Sequence, residues 1–115
     1  MLNMTNYNFG DIVLLQFPFT DLSTTKKRPA VVVSSFEYNS KRPDIIVMAV
    51  TSRIREIQSF CDVTIKEWKQ AGLIKESAIK PIILTIEKDL ILAKLGQLQT
   101  QDTQALRNNL QTIFG

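Results

Sequence analysis

A chain of 115 residues with 44% hydrophobic and 22% charged side chains suits one domain, residues 1–115, with one buried core; its formal charge of +3 is too mild to argue alone for nucleic acid. There is no histidine and a single cysteine, Cys61, which excludes Ser-His-Asp and Cys-His catalysis, an internal disulfide framework and most zinc sites. No apolar run approaches the ~20 residues that span a bilayer, and residues 1–8 lack the pattern of a signal peptide, so a cytoplasmic protein with no membrane partner is expected.

The charge is clustered. Between Leu22 and Arg55 stand Lys26, Lys27, Arg28, Lys41, Arg42, Arg53 and Arg55 against Glu37 and Asp44, a local +5, while the rest of the chain carries −2. Two β-branched runs thread this stretch between polar, cationic loops, the pattern of a scaffold that presents a site for a polyanion.

In chain order, Gly10-Asp11 predicts a turn, followed by a strand Ile12–Phe17 that stops at Pro18. Pro29 biases Arg28 toward an extended conformation and sets it at the mouth of a second strand, Ala30–Ser34. Residues 34–44 read as a polar loop. The third strand, Ile45–Thr51, is almost continuously apolar, as expected of a strand covered on both faces, central in a small barrel or at a subunit interface. A fourth strand is expected over Ser59–Thr64, with Cys61 a small buried hydrophobe. Thr64 and Glu67 form a capping-box pattern that predicts a helix of about two turns, ended by Gly72. Ser77–Leu84 reads as a strand with Pro81 at an edge or bulge. Ile86–Leu92 fits helix or strand, and Lys94–Leu98 looks extended. Leu106, Leu110, Ile113 and Phe114 share one helical face, which predicts a terminal helix packed on the sheet. The expected class is α+β, mainly β: a compact barrel with a short helix and a C-terminal helix.

The blocks Gly10-Asp11-Ile12-Val13-Leu14, Phe17-Pro18-Phe19-Thr20-Asp21 and Lys27-Arg28-Pro29-Ala30-Val31-Val32-Val33-Ser34, with Val50-Thr51-Ser52, Glu76-Ser77-Ala78-Ile79 and Lys94-Leu95-Gly96-Gln97-Leu98, resemble the PemK/MazF family of toxins from type II toxin-antitoxin modules. The resemblance runs in order over nearly the full length. It implies an SH3-like β-barrel, a homodimer with a composite groove, metal-independent cleavage of single-stranded RNA without a cofactor, and neutralisation by a cognate antitoxin. It matches Arg28 and Thr51 to the family's catalytic arginine and hydroxyl residue. The family's first loop often carries glycine and a carboxylate; here residues 23–27 contain neither, and the nearest acid is Asp21.

The residues suit that chemistry. The 2′-hydroxyl of RNA can attack its own phosphate, so a protein need only orient the attack, stabilise the phosphorane oxygens and help the 5′-oxygen depart. Arg28 offers paired hydrogen bonds to phosphate oxygens, and Thr51, or Ser52 in its place, a hydroxyl donor. Lys26, Lys27 and Arg53 read as phosphate-steering charges or as an ordinary solvated face. Phe19 and Tyr38 are candidates to stack on an unpaired base, with packing as the other reading. Ser77 either bonds within the groove or starts its strand. Trp68 reads as packing or a partner contact. Two further functions stay open on the sequence: a non-catalytic toxin of the same fold that binds DNA gyrase or another target, and an inactive member that binds nucleic acid or antitoxin.

Overall fold

A computed structural model describes residues 6–17, 26–54 and 60–115. Among them six strands form one antiparallel sheet: β1 (Asp11–Phe17), β2 (Lys26–Val32), β3 (Asp44–Thr51), β4 (Val63–Ile65), β5 (Ser77–Glu87) and β6 (Ile91–Gln97). The order across the sheet is β4-β5-β3-β2-β1-β6, and it curls into a half-barrel. Helix α1 (Phe36–Lys41) links β2 to β3, a single turn of 3-10 helix (Lys88–Leu90) links β5 to β6, and α2 (Thr100–Phe114) closes the chain.

Central position explains the continuous apolar run of β3. Met48 and Val50 enter one core with Ile12, Val31, Val63, Ile65, Ile79 and Leu106, while Ile45 and Val47 enter a second with Tyr7, Val13, Leu15, Ala30 and Val32. Alternate side chains of one strand thus serve two cores, one on each face of the sheet. Leu106 is fully buried and carries α2 onto the first face; removing such a side chain typically costs about 2–5 kcal/mol.

Several sequence expectations hold. Gly10 turns the chain into β1 with a φ of +91°, and Asp11 closes that turn by accepting from the Asn8 amide at 2.8 Å while pairing with Lys94 at 3.1 Å. Gly72 stops its segment with a φ of +93°. Pro81 lies in a bulge of β5, where pairing with β3 skips from Met48–Ile83 to Val50–Ile79. Residues 94–97 are extended within β6, and the ambiguous 86–92 stretch divides among the end of β5, the 3-10 turn and the start of β6.

Others need correction. The loop expected over 34–44 holds α1, capped by the Ser35 hydroxyl, which accepts from the Tyr38 amide at 3.1 Å. It has no apolar stripe; it is fixed by buried Asn39, which donates to the carbonyls of Tyr7 and Ser34. β2 begins at Lys26 rather than Ala30, so Arg28 lies inside a strand, opposite Leu15. β4 is confined to Val63–Ile65, and Cys61 is half-buried in a turn with a φ of +70° rather than buried on a strand. Thr64 pairs with Ala78 in the sheet and caps no helix; residues 66–72 make tight turns instead. Their cap comes from α2: Asp102, 1% exposed, accepts from the amides of Lys66 and Glu67, each at 2.9 Å. Phe114 is 70% exposed and leaves the apolar face of α2 to Leu106, Leu110 and Ile113.

The 66–72 turns also join the two ends of the curled sheet. A Cβ on Gly96 would stand 2.3 Å from the Ala71 carbonyl oxygen, and one on Gly72 2.2 Å from that of Leu95. Only glycine at both positions lets the turn that follows β4 lie directly on β6.

Candidate functional site

β2 and β3 pair only through Ala30–Ala49, Val31–Met48 and Val32–Val47, although β2 extends back to Lys26 and β3 onward to Thr51. Proline explains where the ladder stops. Val33 donates its amide to Ile46 across this seam at 2.9 Å, and amides alternate sides along a strand, so position 29 also faces β3. Pro29 has no N–H to give Val50. Beyond it the strands part, with Arg28 and Thr51 at matching register positions, two residues past the last pair.

The gap between the strand ends is a cleft of about 260 Å³ lined by Lys27, Arg28, Pro29, Val50, Thr51, Ser52, Arg53, Leu73, Ile74, Lys75 and Ser77. That volume falls below the roughly 300–1,000 Å³ of sites that enclose a small molecule, and it suits one unit of a longer ligand. Four of the lining residues are cationic and none is acidic. The ion pairs found among the described residues lie elsewhere: Lys41–Glu37, Arg42–Asp44, Lys80–Asp62 and Lys94–Asp11. Among the described residues the cleft therefore gathers positive charge without an acidic partner, which concentrates an anionic ligand there.

Its two hydroxyls differ. Thr51 Oγ1 accepts from the Arg53 amide at 3.1 Å, which leaves its O–H proton free to donate outward. Ser77 is buried and spends its proton on the Lys75 carbonyl at 2.9 Å, so toward a ligand it can only accept; it also begins β5. Arg28, Ser52 and Arg53 are exposed at the cleft.

Of the residues singled out in the sequence, Lys27, Arg28, Thr51, Ser52, Arg53 and Ser77 come together here. Lys26 stands one residue further out on β2, opposite Phe17. Tyr38 lies on α1, at the other end of β2 and β3, where Arg42 sits 5.1 Å from its ring centre. Phe19 lies outside the described residues, as do Asp21 and Arg55. Leu73, Ile74 and Lys75 were missed; they follow Gly72 in a segment that reads as the end of a helix. The signal that could have found them is the short connection Leu73-Ile74-Lys75-Glu76 between Gly72 and the strand that opens at Ser77, apolar and cationic side by side. Among the described residues, no three of His, Cys, Asp or Glu gather as a metal site.

The family model of PemK-like, MazF-like toxins of type II toxin-antitoxin systems matches residues 8–114. No curated protein matches the chain. Among solved structures, a MazE-MazF complex from Deinococcus radiodurans superposes with a TM-score of 0.75 at 19% identity, covering 96% of this chain and 98% of the other. The Mycobacterium tuberculosis toxin MazF-mt6 gives 0.74 at 17% identity, covering 90% and 95%. An endoribonuclease in complex with its cognate antitoxin, from a mycobacterial species, gives 0.72 at 16% identity, covering 95% and 93%. At these identities the likeness is one of fold.

Proposed function

The chain belongs to the PemK-like, MazF-like toxins of type II toxin-antitoxin systems, and from that premise we propose that it is an endoribonuclease cutting single-stranded RNA, without a metal ion, in the cleft between β2 and β3. The observation that carries this reading is that Arg28 and Thr51 stand at matching register positions where Pro29 parts the strands, in a described lining with four cations and no carboxylate.

The ribose 2′-oxygen, giving up its proton to water, attacks the adjacent phosphorus and closes a 2′,3′-cyclic phosphate as the bond to the 5′-oxygen breaks and that oxygen takes a proton from water. Arg28 presents its planar fork to the non-bridging oxygens as negative charge grows on them. Thr51 donates its free O–H to the same phosphate, its orientation fixed by the bond from the Arg53 amide. Lys27, Arg53 and Lys75 hold the neighbouring phosphates, and Ser52 adds a hydroxyl at the rim. Among the described lining residues there is no carboxylic acid or imidazole to protonate the leaving oxygen, and guanidinium is a poor acid. Charge stabilisation and alignment are the contributions the described lining can make.

The same cleft fits an acidic, partly disordered antitoxin segment that orders on binding; a solved neighbour is itself an endoribonuclease in complex with its cognate antitoxin. A homodimer is part of this reading. It rests on the family, since the apolar run of β3 is used inside the fold.

The experiment is incubation of the purified protein, in chelator, with a long mixed-sequence single-stranded RNA, beside Arg28→Ala, with ends mapped by primer extension. Discrete cuts that vanish in the folded variant are expected. Absence of cuts by the wild type, or undiminished cutting by Arg28→Ala, overturns the reading; a protein that binds RNA without cutting it turns the search to a non-catalytic target such as gyrase.

A further inference from the structure

The wall formed by residues 73–75 contains a side chain with no role in the fold. Ile74 is 89% exposed yet lines the cleft with Arg53 and Lys75. Its mount is fixed on both sides. Leu73 is buried and donates its amide to the Trp68 carbonyl at 3.0 Å. Gly72 lies against the Leu95 backbone, and Ser77 Oγ ties down the Lys75 carbonyl at 2.9 Å.

An exposed aliphatic side chain on a held backbone, next to two cations, can hold both halves of a nucleotide. The cations take phosphates, which every sequence shares; apolar surface takes the face of an unpaired base, which strands without bases lack. Because the mount is already ordered, such a contact costs little further entropy on binding. We propose that Ile74 is a base-contacting residue for single-stranded RNA in this cleft, with Lys75 beside it on a phosphate; the assignment rests on the RNA reading above.

The test separates base from backbone. Fluorescence anisotropy at fixed salt compares a labelled, mixed-sequence 2′-O-methyl RNA, which lacks the attacking hydroxyl, with a labelled strand of equal length made of abasic sites. Wild type, Ile74→Ala and Lys75→Ala are each measured. Ile74→Ala is expected to bind the base-bearing strand roughly fivefold to tenfold more weakly, a fraction of what an aromatic platform contributes, and the abasic strand as the wild type does. Lys75→Ala weakens both. Since Ile74 is exposed, its variant melts with the wild type, so loss of fold does not intrude. Equal affinity of Ile74→Ala and wild type for the base-bearing strand overturns the assignment, and so does an equal loss on both strands. A wild type that binds that strand but cuts no RNA defeats the ribonuclease reading alone, and the anisotropy comparison still decides Ile74. If the wild type binds neither strand, both readings fall.

Discussion

Replacing Asp102 with alanine tests how the wall bearing Ile74 and Lys75 is held. Its carboxylate, 1% exposed in the first turn of α2, accepts from the amides of Lys66 and Glu67 at 2.9 Å each. Both bonds are charge-assisted, and their loss leaves two amides without an acceptor in a partly buried place. A lost helix cap costs ~1 kcal/mol and each hydrogen bond to a charged group about 1.5–3 kcal/mol, so a loss of roughly 2–4 kcal/mol is expected, allowing for some rehydration. For a domain of this size 1 kcal/mol shifts Tm by about 3–5 °C, which places the fall at roughly 6–20 °C. Asp102→Asn keeps one acceptor and should lie between. Thermal unfolding followed by circular dichroism gives the shift, and hydrogen exchange gives its location: the Lys66 and Glu67 amides should lose protection first. A melt within about 2 °C of wild type, or unchanged protection at those amides, would refute the capping role.

Pro29→Ala restores the N–H that β2 lacks at the seam with β3. The new amide should pair with Val50, become protected in hydrogen exchange and narrow the cleft, with cleavage falling while stability holds; an unprotected amide with undiminished cleavage counts against proline as the divider. The Asp44 carboxyl is held below the usual carboxylate range, chiefly by the hydrogen bonds from Arg42 at 2.9 and 3.0 Å. Its folded-state pKa is thus depressed, and the pair's contribution is present above the ordinary carboxylate range and lost as pH falls through the lowered value. Carboxyl NMR titration should show Asp44 ionising at higher pH in Arg42→Gln than in wild type; coincident curves would remove Arg42 as the cause.

The strands were legible because their chemistry is local: β-branched runs bounded by Gly10, Pro18 and Pro29 can do little else. Arg28 and Thr51 were legible for a related reason, since each lies beside a strand signal and in a block that resembles the family's. Elements held by distant polar contacts escaped. α1 depends on Asn39 reaching the carbonyl of Tyr7, 32 residues away in the chain, and its signs were only Ser35 at the cap and the Glu37–Lys41 pair at 3.0 Å. The capping box at Thr64 failed because that residue is taken by the sheet while Asp102, 36 residues on from Lys66, supplies the cap. Ile74 and Lys75 went unmarked because their place in the cleft follows from two glycine contacts, at Gly72 and Gly96, that no local pattern announces.

Arg28 and Thr51 are proposed to act on one phosphate. Single-turnover cleavage of a defined single-stranded RNA by wild type, Arg28→Ala, Thr51→Val and the double variant measures this directly. Each single change should lower the rate by roughly 10²- to 10³-fold. Groups that work as a unit are not additive, so the double variant should lose far less than the product of the two single losses. Losses that multiply in full, or cleavage left intact by either single change, would contradict a shared phosphate.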